Sequence, residues 1–374
     1  MRYYGCKTKL LDFLSEGVAE TGINHGSIFC DLFSGTTAVA KFFKQKGYTV
    51  YANDFLEFSY SFAHTYIKNN TYPSFYSLRK IIKNVSSDSH KYLNIIINYL
   101  NNLDPLKGFI YNNYCPGGTK KLDSPRMYFS DENGMKIDAI RTKIQKWKES
   151  NIICEDEFYF LLTSLIEAIP YVANISGTYA AYLKNWDPRA FKSIELKVPI
   201  IPESKRDNRA FKEDANILIK RIYSDILYLD PPYNARQYAS NYFLLELIAE
   251  GWFNGQKPKI YGKTGMRDYE KQKSAFSQKS GVLNAFINLI KNAKTKFIFL
   301  SYNDEGLMSK DEIIDILSSR GEVKIFKKPY RRYRSINQDE SDKKIVFETL
   351  YFAKVYDCLL YTSDAADELD GVDL

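Results

Sequence analysis

The chain has 374 residues, of which 45% are hydrophobic, and its 52 Lys and Arg against 45 Asp and Glu give a formal net charge of +7. This length fits two or three structural units of roughly 150 residues each, and the mild basic excess is compatible with a polyanionic partner. No run approaches the roughly 18 apolar residues of a membrane-spanning helix, and the N-terminus lacks a signal-peptide core. The five cysteines and three histidines are scattered, which disfavours a disulfide framework, a metal centre or a histidine-based triad and favours a reducing cytoplasm.

A strand, a helix and a second strand open the predicted element order. Apolar residues indicate a strand at 28–33, helical periodicity follows at 36–45 with Gly47 as C-cap, and a second strand covers 48–52. Strands that alternate with helices at this spacing predict a parallel, doubly wound sheet.

The sequence changes character between 72 and 170. Asn- and Lys-rich helical stretches are separated by predicted turns at 116–118 and at Asn133-Gly134. After the second turn, apolar residues at helical spacing predict a helix whose other faces carry basic residues, Arg141 among them. We interpret 72–170 as an inserted, mostly helical module with basic surfaces, although an ordinary amphipathic helix explains any one segment equally well.

Further strands are predicted at 225–229, 296–302, 322–326 and 345–355, the last two flanking a loop as in a hairpin. Beyond them, residues 358–368 (CLLYTSDAADE) resemble the translation of a sequencing adapter. We therefore expect 358–374 to be a non-native tail, with an ordinary acidic tail as the alternative.

The sharpest chemical feature is Asp230-Pro231-Pro232-Tyr233, directly after the strand at 225–229. Two consecutive prolines cannot continue a central strand, so they stop it and leave the Asp230 carboxylate and the proline carbonyls as rigid acceptors. Ligands bind at this carboxyl edge of an open α/β sheet. Acceptors beside an aromatic ring suit a planar substrate with an amino group, on which Tyr233 stacks. A proline turn with a solvated aspartate is the alternative.

A second feature, residues 31–37 (DLFSGTT), follows the first strand. Gly35 permits a tight turn, and the helix behind it offers free N–H groups. The segment departs from the G-x-G-x-x-G fingerprint, so a nicotinamide cofactor is not supported. Asp54, after the second strand, stands where an acidic residue commonly binds ribose hydroxyls, and a helix N-cap is its alternative role.

Phe33-Ser34-Gly35, Asp54 and the Asp230 motif, in that order, resemble the S-adenosylmethionine-dependent N6-adenine DNA methyltransferases, the Dam-like alpha group. The extension at 234–242 resembles the subset found in restriction–modification systems, including the shifted-cleavage type. The resemblance covers 1–355. The family often has a second glycine where this chain has Thr37, and Gly or Ser where it has Cys6.

This resemblance implies an α/β fold of the Rossmann-like class I methyltransferase type. Its mixed sheet would be mostly parallel, with an antiparallel C-terminal hairpin. The cofactor-binding half would be 1–71, an inserted, mainly helical target-recognition region 72–170, and the catalytic half 171–357. Residues 174–186 would return the chain to the rim of the active site.

The resemblance also implies roles for single residues. The catalytic residues would be Asp230, Pro231, Pro232 and Tyr233. S-adenosylmethionine would contact Tyr3, Lys7, Asp31, Phe33, Gly35, Thr36, Asp54, Asp214 and Asp230. No metal is expected.

A basic segment at 324–334 (KIFKKPYRRYR) holds six basic residues and no acid. Between two strands it would be a hairpin tip that reaches DNA phosphates or a groove, and a solvated edge whose charges prevent sheet extension is the alternative. The predicted DNA-contact residues are Arg236, Tyr238, Lys327, Lys328, Arg331, Arg332 and Arg334. Weaker candidates are Lys184, Arg189 and the basic helix near Arg141.

The predicted function is site-specific methylation of adenine N6 in double-stranded DNA by a bacterial or phage-encoded enzyme. The target base would be flipped out of the duplex, and a cognate restriction endonuclease could act separately. Alternatives are an N4-cytosine or RNA base methyltransferase, of which the first is disfavoured by Asp230 where cytosine enzymes usually carry Ser. A catalytically silent, sequence-specific DNA-binding protein is the alternative from another class.

Overall fold

The computed structural model describes residues 7–82, 88–253, 255, 257–331 and 345–356. The predicted contacts Tyr3, Arg332 and Arg334, the family departure at Cys6 and the expected tail at 358–374 lie outside these ranges. No helix in the described part of the chain combines the length and the apolar character needed to cross a membrane.

Strands and helices alternate through the first and last thirds of the chain. The strands are β1 (Ile28–Asp31), β2 (Thr49–Asn53), β3 (Arg209–Phe211), β4 (Tyr223–Leu229), β5 (Ile260–Tyr261), β6 (Met266–Arg267), β7 (Lys294–Asn303), β8 (Gly321–Arg331) and β9 (Ile345–Val355). The α-helices are α1 (Leu11–Ala19), α2 (Ala38–Gln45), α3 (Glu57–Ala63), α4 (Ser89–Asn101), α5 (Phe109–Tyr114), α6 (Asp131–Glu149), α7 (Glu155–Ala168), α8 (Ala215–Leu218), α9 (Tyr238–Asn241), α10 (Phe243–Glu250), α11 (Val282–Asn292) and α12 (Lys310–Ser318). A π-helical segment, His64–Lys68, continues α3.

One seven-stranded sheet has the strand order β3-β2-β1-β4-β7-β9-β8. β1 pairs in parallel with β2 and β4, and β4 with β7, whereas β9 runs antiparallel to both β7 and β8. The predicted mixed sheet with an antiparallel C-terminal hairpin is confirmed. Chain order reverses between β1 and β4, so the carboxyl ends of these two strands form the switch point at which such sheets bind ligands.

Helices pack on both faces of the sheet because successive strand residues point to opposite sides. On one face Phe29 stacks on Phe43 of α2, with ring centroids 3.9 Å apart, in a core that extends without interruption into α4, α6 and α7. On the other face Cys30 and Leu227 pack with α11 and α12. The helices between β2 and β3 therefore share the hydrophobic core of the sheet.

The predicted turn at Asn133-Gly134 is wrong, since both residues lie in the first turn of α6. Ser130 is the N-cap, and its hydroxyl accepts the Asn133 N–H at 3.2 Å. A glycine is required at 134 because a Cβ there would lie 2.0 Å from the Sγ of Cys115. Close packing, which the sequence pattern does not disclose, therefore replaces the turn preference of an Asn-Gly pair.

The expectation that Arg141 lies on a basic surface is also wrong. Its guanidinium is buried and donates from Nε and Nη2 to the carbonyls of Ile248 and Ala249, at 2.7 and 3.2 Å. These carbonyls belong to the last turn of α10, where a cation satisfies groups that the helix leaves unpaired. Arg141 thus joins two helices and is not available to DNA.

A buried lysine on α2 caps the helical segment that ends at Asn69. The Lys44 Nζ donates to the carbonyls of Tyr66, Ile67 and Asn69 at 2.9, 2.9 and 2.7 Å. Burial lowers the pKa of Lys44 to about 7. This side chain therefore fixes α2 against the chain that follows β2.

We expect Lys44→Met to lower the free energy of unfolding by roughly 2–4 kcal/mol, because it leaves three buried carbonyls without a donor. Urea denaturation measures this change. Lys46→Met, at the exposed C-cap of the same helix, is the matched control and should change stability by less than about 0.5 kcal/mol. Equal effects of the two variants would contradict the capping role.

Candidate active site

The carboxyl ends of β1 and β4 open into a pocket of about 1030 Å³, counting the solvent space at its mouth. Asp31 ends β1, Asp54 follows β2 and Asp230 follows β4, and all three line this pocket. Every predicted cofactor residue within the described ranges is on its wall, namely Lys7, Asp31, Phe33, Gly35, Thr36, Asp54, Asp214 and Asp230. The sheet topology thus brings together residues that the sequence places at separate strand ends.

The turn between β1 and α2 crosses the pocket in a left-handed conformation. β1 ends at Asp31 instead of the predicted residue 33, and α2 begins at Ala38 instead of the predicted residue 36. In the turn between them, Gly35 has φ 48° and Thr37 has φ 60°. A side chain in this region costs roughly 1–2 kcal/mol. The conformation therefore explains why a second glycine suits the position that Thr37 occupies here.

Asp54 fixes this turn. Its Oδ2 accepts the Gly35 N–H at 2.9 Å, and its Oδ1 accepts the Leu56 N–H at 3.0 Å. The alternative role of Asp54 as helix N-cap is wrong, since α3 has Leu56 at that position. The N–H groups at the start of α3 donate instead to a distant glutamate, Glu246.

Glu246 connects two walls of the pocket. Its buried carboxylate accepts the N–H groups of Glu57 and Phe58 at 2.8 and 3.0 Å, and the Gln272 Nε2 at 2.6 Å. Burial, with the nearby charge of Glu250, raises the pKa of Glu246 to about 8. Because α3 begins beside Asp54 and Gln272 also lines the pocket, this one residue joins two segments of the pocket wall.

The Asp31 carboxylate is buried at the pocket wall, with 1% of the residue exposed. Its Oδ1 has no hydrogen-bond partner among the described residues. Burial, followed by the negative charges of Asp230 and Asp54, raises the pKa of Asp31 well above its usual range, and burial also raises the pKa of Asp54. A cationic ligand would relieve this concentration of negative charge.

We expect Asp31→Asn to raise the melting temperature of the ligand-free protein at pH 7 by a few degrees. A carboxyl whose pKa is higher in the folded than in the unfolded state makes the protein less stable as pH rises through the unfolded value, about 4. The stabilisation should therefore vanish near about pH 3. Calorimetry across this pH range tests it. The quantity to compare is the melting temperature of the variant minus that of the wild type, and a smaller difference at pH 7 than at pH 3 would contradict the expectation.

Asp230 faces the N-terminal segment. The Lys7 Nζ lies 3.3 Å from the Asp230 Oδ1, and the two side chains are 11% and 18% exposed. Pro231 is buried and Pro232 lines the pocket. The carbonyl of Tyr233 accepts the Leu307 N–H at 3.0 Å, so the motif is anchored to the loop that follows β7 and its carboxylate is held at the pocket.

Several pocket residues were missed by sequence reasoning. Gln237 exchanges hydrogen bonds with the backbone of Ser274, donating at 3.1 Å and accepting at 2.7 Å, and so holds the segment 272–276 over the pocket. Phe276 meets Phe33 edge-on, with ring centroids 5.0 Å apart. Phe33 and Gln237 lie in segments that the resemblance covers, but Ser274 and Phe276 carry no motif and are far away in sequence, so no local signal discloses these pairings. Within the described residues, no cluster of His, Cys, Asp or Glu could hold a metal ion.

Residues 3–316 match the model of the D12 class N6 adenine-specific DNA methyltransferases. This chain belongs to that family. It is 43% identical to the type II methyltransferase M.FokI of Planomicrobium okeanokoites, over 92% of this chain and 51% of that protein. It is 41% identical to the modification methylase StsI of Streptococcus sanguinis, over 94% of this chain and 51% of that protein. It is 39% identical to the type II methyltransferase M.NlaIII of Neisseria lactamica, over 94% of this chain and 98% of that protein.

The chain thus spans about half the length of M.FokI and StsI and nearly all of M.NlaIII. Membership of the D12 class confirms the resemblance inferred from the motifs. It identifies the chain as a methyltransferase. The substrate and cofactor of this chain are inferred below from the chemistry of the pocket.

The predicted DNA contacts of this D12-class chain fall in three places. Arg236 is exposed just after the Asp230 motif, and Tyr238 begins α9 on the wall of the pocket. Most of the basic segment at 324–334 belongs to a strand and not to a hairpin tip, because β8 continues to Arg331. This strand forms the edge of the sheet. Lys327 lies 3.7 Å from Asp304, which fits the alternative of a charged, protected edge. The side chains of Lys328 and Arg331 are outside the description.

Proposed function

We propose that this chain transfers the methyl group of S-adenosylmethionine to N6 of an adenine at a specific site in double-stranded DNA. It would act as the modification enzyme of a restriction–modification system, with any cognate endonuclease acting separately. The observation that carries the proposal is the single pocket that joins the Asp230 motif to the predicted cofactor residues. The description of the D12 class as N6 adenine-specific supports adenine as the target, and the name of M.NlaIII, a type II methyltransferase, supports methyl transfer.

The chemistry of the pocket fits S-adenosylmethionine. Its carboxylates, one with a buried unpaired oxygen, suit a ligand that carries ammonium and sulfonium charges. Each Asp54 oxygen that accepts a backbone N–H retains acceptor capacity for a ribose hydroxyl. Phe33 and Phe276 offer apolar surface to a purine ring. When bound, S-adenosylmethionine supplies a methyl group already attached to a cationic sulfur.

We also propose that 72–170 serves target recognition, between a cofactor-binding part at 1–71 and a catalytic part at 171–357. The residues that line the pocket all fall at 7–56 and 213–276. The helices α4 to α7 contribute no residue to this lining, which supports a role for 72–170 other than cofactor binding.

The role of Asp230 follows from the weak nucleophilicity of the target. The lone pair of an exocyclic amine is delocalised into the purine ring. Hydrogen bonds from N6–H to the Asp230 carboxylate and to a proline carbonyl would favour a pyramidal nitrogen and orient its lone pair toward the methyl donor. The Lys7 ammonium, 3.3 Å from the carboxylate, would help to hold it in place. The proton can leave after transfer, when the nitrogen carries a positive charge.

The target atom is out of reach inside a duplex, so the adenine has to be extruded into the site. The ring of Tyr233, partly buried against the core that contains α11, would stack on the extruded base. Arg236, which is exposed just after the Asp230 motif, would contact phosphates.

Incubation of unmethylated DNA with labelled S-adenosylmethionine, followed by nucleoside analysis and long-read mapping, tests the proposal. We expect the label in N6-methyladenine at one short recognition sequence. Label in 4-methylcytosine, or transfer only to an RNA substrate incubated in parallel, would support the alternative base methyltransferases. Sequence-specific DNA binding without any transfer would support a catalytically silent binding protein.

A further inference from the structure

An aromatic pair, the exposed Phe191 and the half-buried Trp186, lies on the loop 183–194. Phe191, in the 3₁₀ turn Pro188–Phe191, is 61% exposed, and the ring of Trp186 lies 5.0 Å from it at an angle of 48°. Aromatic rings normally contribute to stability through burial. An exposed ring that adjoins a half-buried one on an ordered loop therefore indicates an interaction surface.

The first half of the loop is held by Asn174, whose side chain is completely buried. Its Nδ2 donates to the carbonyl of Leu183 at 3.0 Å, and its Oδ1 accepts the Asp187 N–H at 2.9 Å. A buried amide is costly unless it is fully hydrogen-bonded. Here it fixes the backbone on both sides of Trp186.

The second half is held by another buried amide, that of Asn133 at the start of α6. Its Nδ2 donates to the carbonyls of Ala190 and Lys192, both at 2.9 Å, and its Oδ1 accepts the Ile194 N–H at 2.9 Å. These bonds bracket Phe191. The backbone that carries the aromatic pair is therefore held in place by polar groups that the proposed chemistry does not use.

The loop adjoins the chain that leaves the active site. The Tyr179 N–H donates to the carbonyl of Asn241 at 2.7 Å. Asn241 ends α9, whose first residue, Tyr238, lines the pocket. The loop begins a few residues beyond this contact, so the chain that carries the aromatic pair continues directly from a segment that is hydrogen-bonded to α9.

The charges around the pair suit a polyanion. Lys184 and Lys192 are exposed on either side of it. Arg189 is matched by Asp187, with 2.9 Å between Nε and Oδ1, so the lysines give the loop its positive charge. A duplex from which one base has been extruded offers phosphates to the lysines and an unstacked base face to the rings.

We propose that the Trp186–Phe191 pair contacts the DNA duplex at the step vacated by the target adenine and stacks on a base left there without a neighbour. This inference rests on the proposed function, because it requires DNA as the partner. The pair acts by stabilising the extruded state, and the reacting atoms remain with the Asp230 motif.

The test compares two duplexes that contain the mapped recognition site, one fully paired and one with an abasic site opposite the target adenine. Because stacking on an aromatic ring is lost, Phe191→Ala should lower kcat/KM about 10-fold on the paired duplex. The loss should be less than about two-fold on the abasic duplex, where extrusion is already easy. The fluorescence of 2-aminopurine at the target position should fall in parallel on the paired duplex.

Two control variants accompany this test. Phe191→Tyr keeps a flat ring and should match the wild type. Tyr171→Ala removes another exposed ring, 57% exposed and outside the loop, and should also leave kcat/KM unchanged.

Unchanged kinetics of Phe191→Ala, or an equal loss on both duplexes, would overturn the stacking role. Unchanged kinetics with a smaller mass in sedimentation would assign the surface to a second copy of the chain and would equally overturn it. Failure of the proposed function has a different signature, since the wild type would then transfer no methyl group to either duplex.

Discussion

Asp230→Ala is expected to lower the rate of methyl transfer by roughly 1,000-fold or more, while DNA affinity stays within about two-fold of the wild type. The Asp230 carboxylate is the charged acceptor that we assign to N6–H, and removal of a single group that orients and stabilises a transition state costs rate by factors of about 100 to 1,000. The loss of the charge near the Lys7 Nζ, now 3.3 Å away, adds to this effect. Single-turnover transfer and filter binding measure the two quantities.

Asp225→Asn is a matched control on the same strand. Asp225 lies near the start of β4, where its carboxylate accepts the Ile28 N–H at 2.9 Å and pairs with Lys296 at 2.9 Å. That is the opposite end of the strand from the pocket, so transfer should stay near the wild-type rate. Transfer by Asp230→Ala at the rate of this control would refute the assigned role.

The sheet was predictable because its determinants are local. Short apolar runs bounded by turn residues indicated the strands, and the alternation with helices indicated parallel pairing. The Asp230 motif and Asp54 could be placed at strand ends for the same reason. The convergence of strand ends at one sheet edge then follows from the topology of an open α/β sheet.

Other features depend on contacts between distant segments and could not be predicted. Arg141 appeared to belong to a basic helix face, yet it caps α10. The Asn133-Gly134 pair has the composition of a turn, yet close approach to Cys115 places it inside α6. Glu246 lies in an apolar helical segment, and only tertiary structure reveals that it holds the start of α3. In each case long-range packing overrides local preference.

The buried carboxylates that we assign to ligand binding also lower the stability of the ligand-free protein. Burial raises the pKa of both Asp31 and Asp54, so each carboxylate is held in a setting that disfavours its charge in the absence of ligand. A cationic ligand reverses this balance, because it favours the ionised form of each carboxyl. Ligand binding should accordingly stabilise the fold strongly, since only the folded state offers the site.

Asp54→Ala is expected to weaken S-adenosylmethionine binding by roughly 100-fold. The carboxylate accepts the Gly35 N–H at 2.9 Å and the Leu56 N–H at 3.0 Å, and we assign its remaining acceptor capacity to ribose hydroxyls. Hydrogen bonds to a charged group contribute roughly 1.5–3 kcal/mol each, so the loss of the ribose contacts and of the fixed turn accounts for this factor. Isothermal titration calorimetry measures it.

Asp207→Ala, which removes an exposed carboxylate paired with Arg209, is the control and should leave affinity unchanged. The pH dependence of binding provides a second test of Asp54. Because the pKa of Asp54 is raised by burial, wild-type affinity should fall as pH drops through that raised value and the carboxylate takes up a proton. In Asp54→Ala this component of the pH dependence should disappear. A variant that binds as tightly as the control, with the wild-type pH profile, would refute the assigned role of Asp54 in binding.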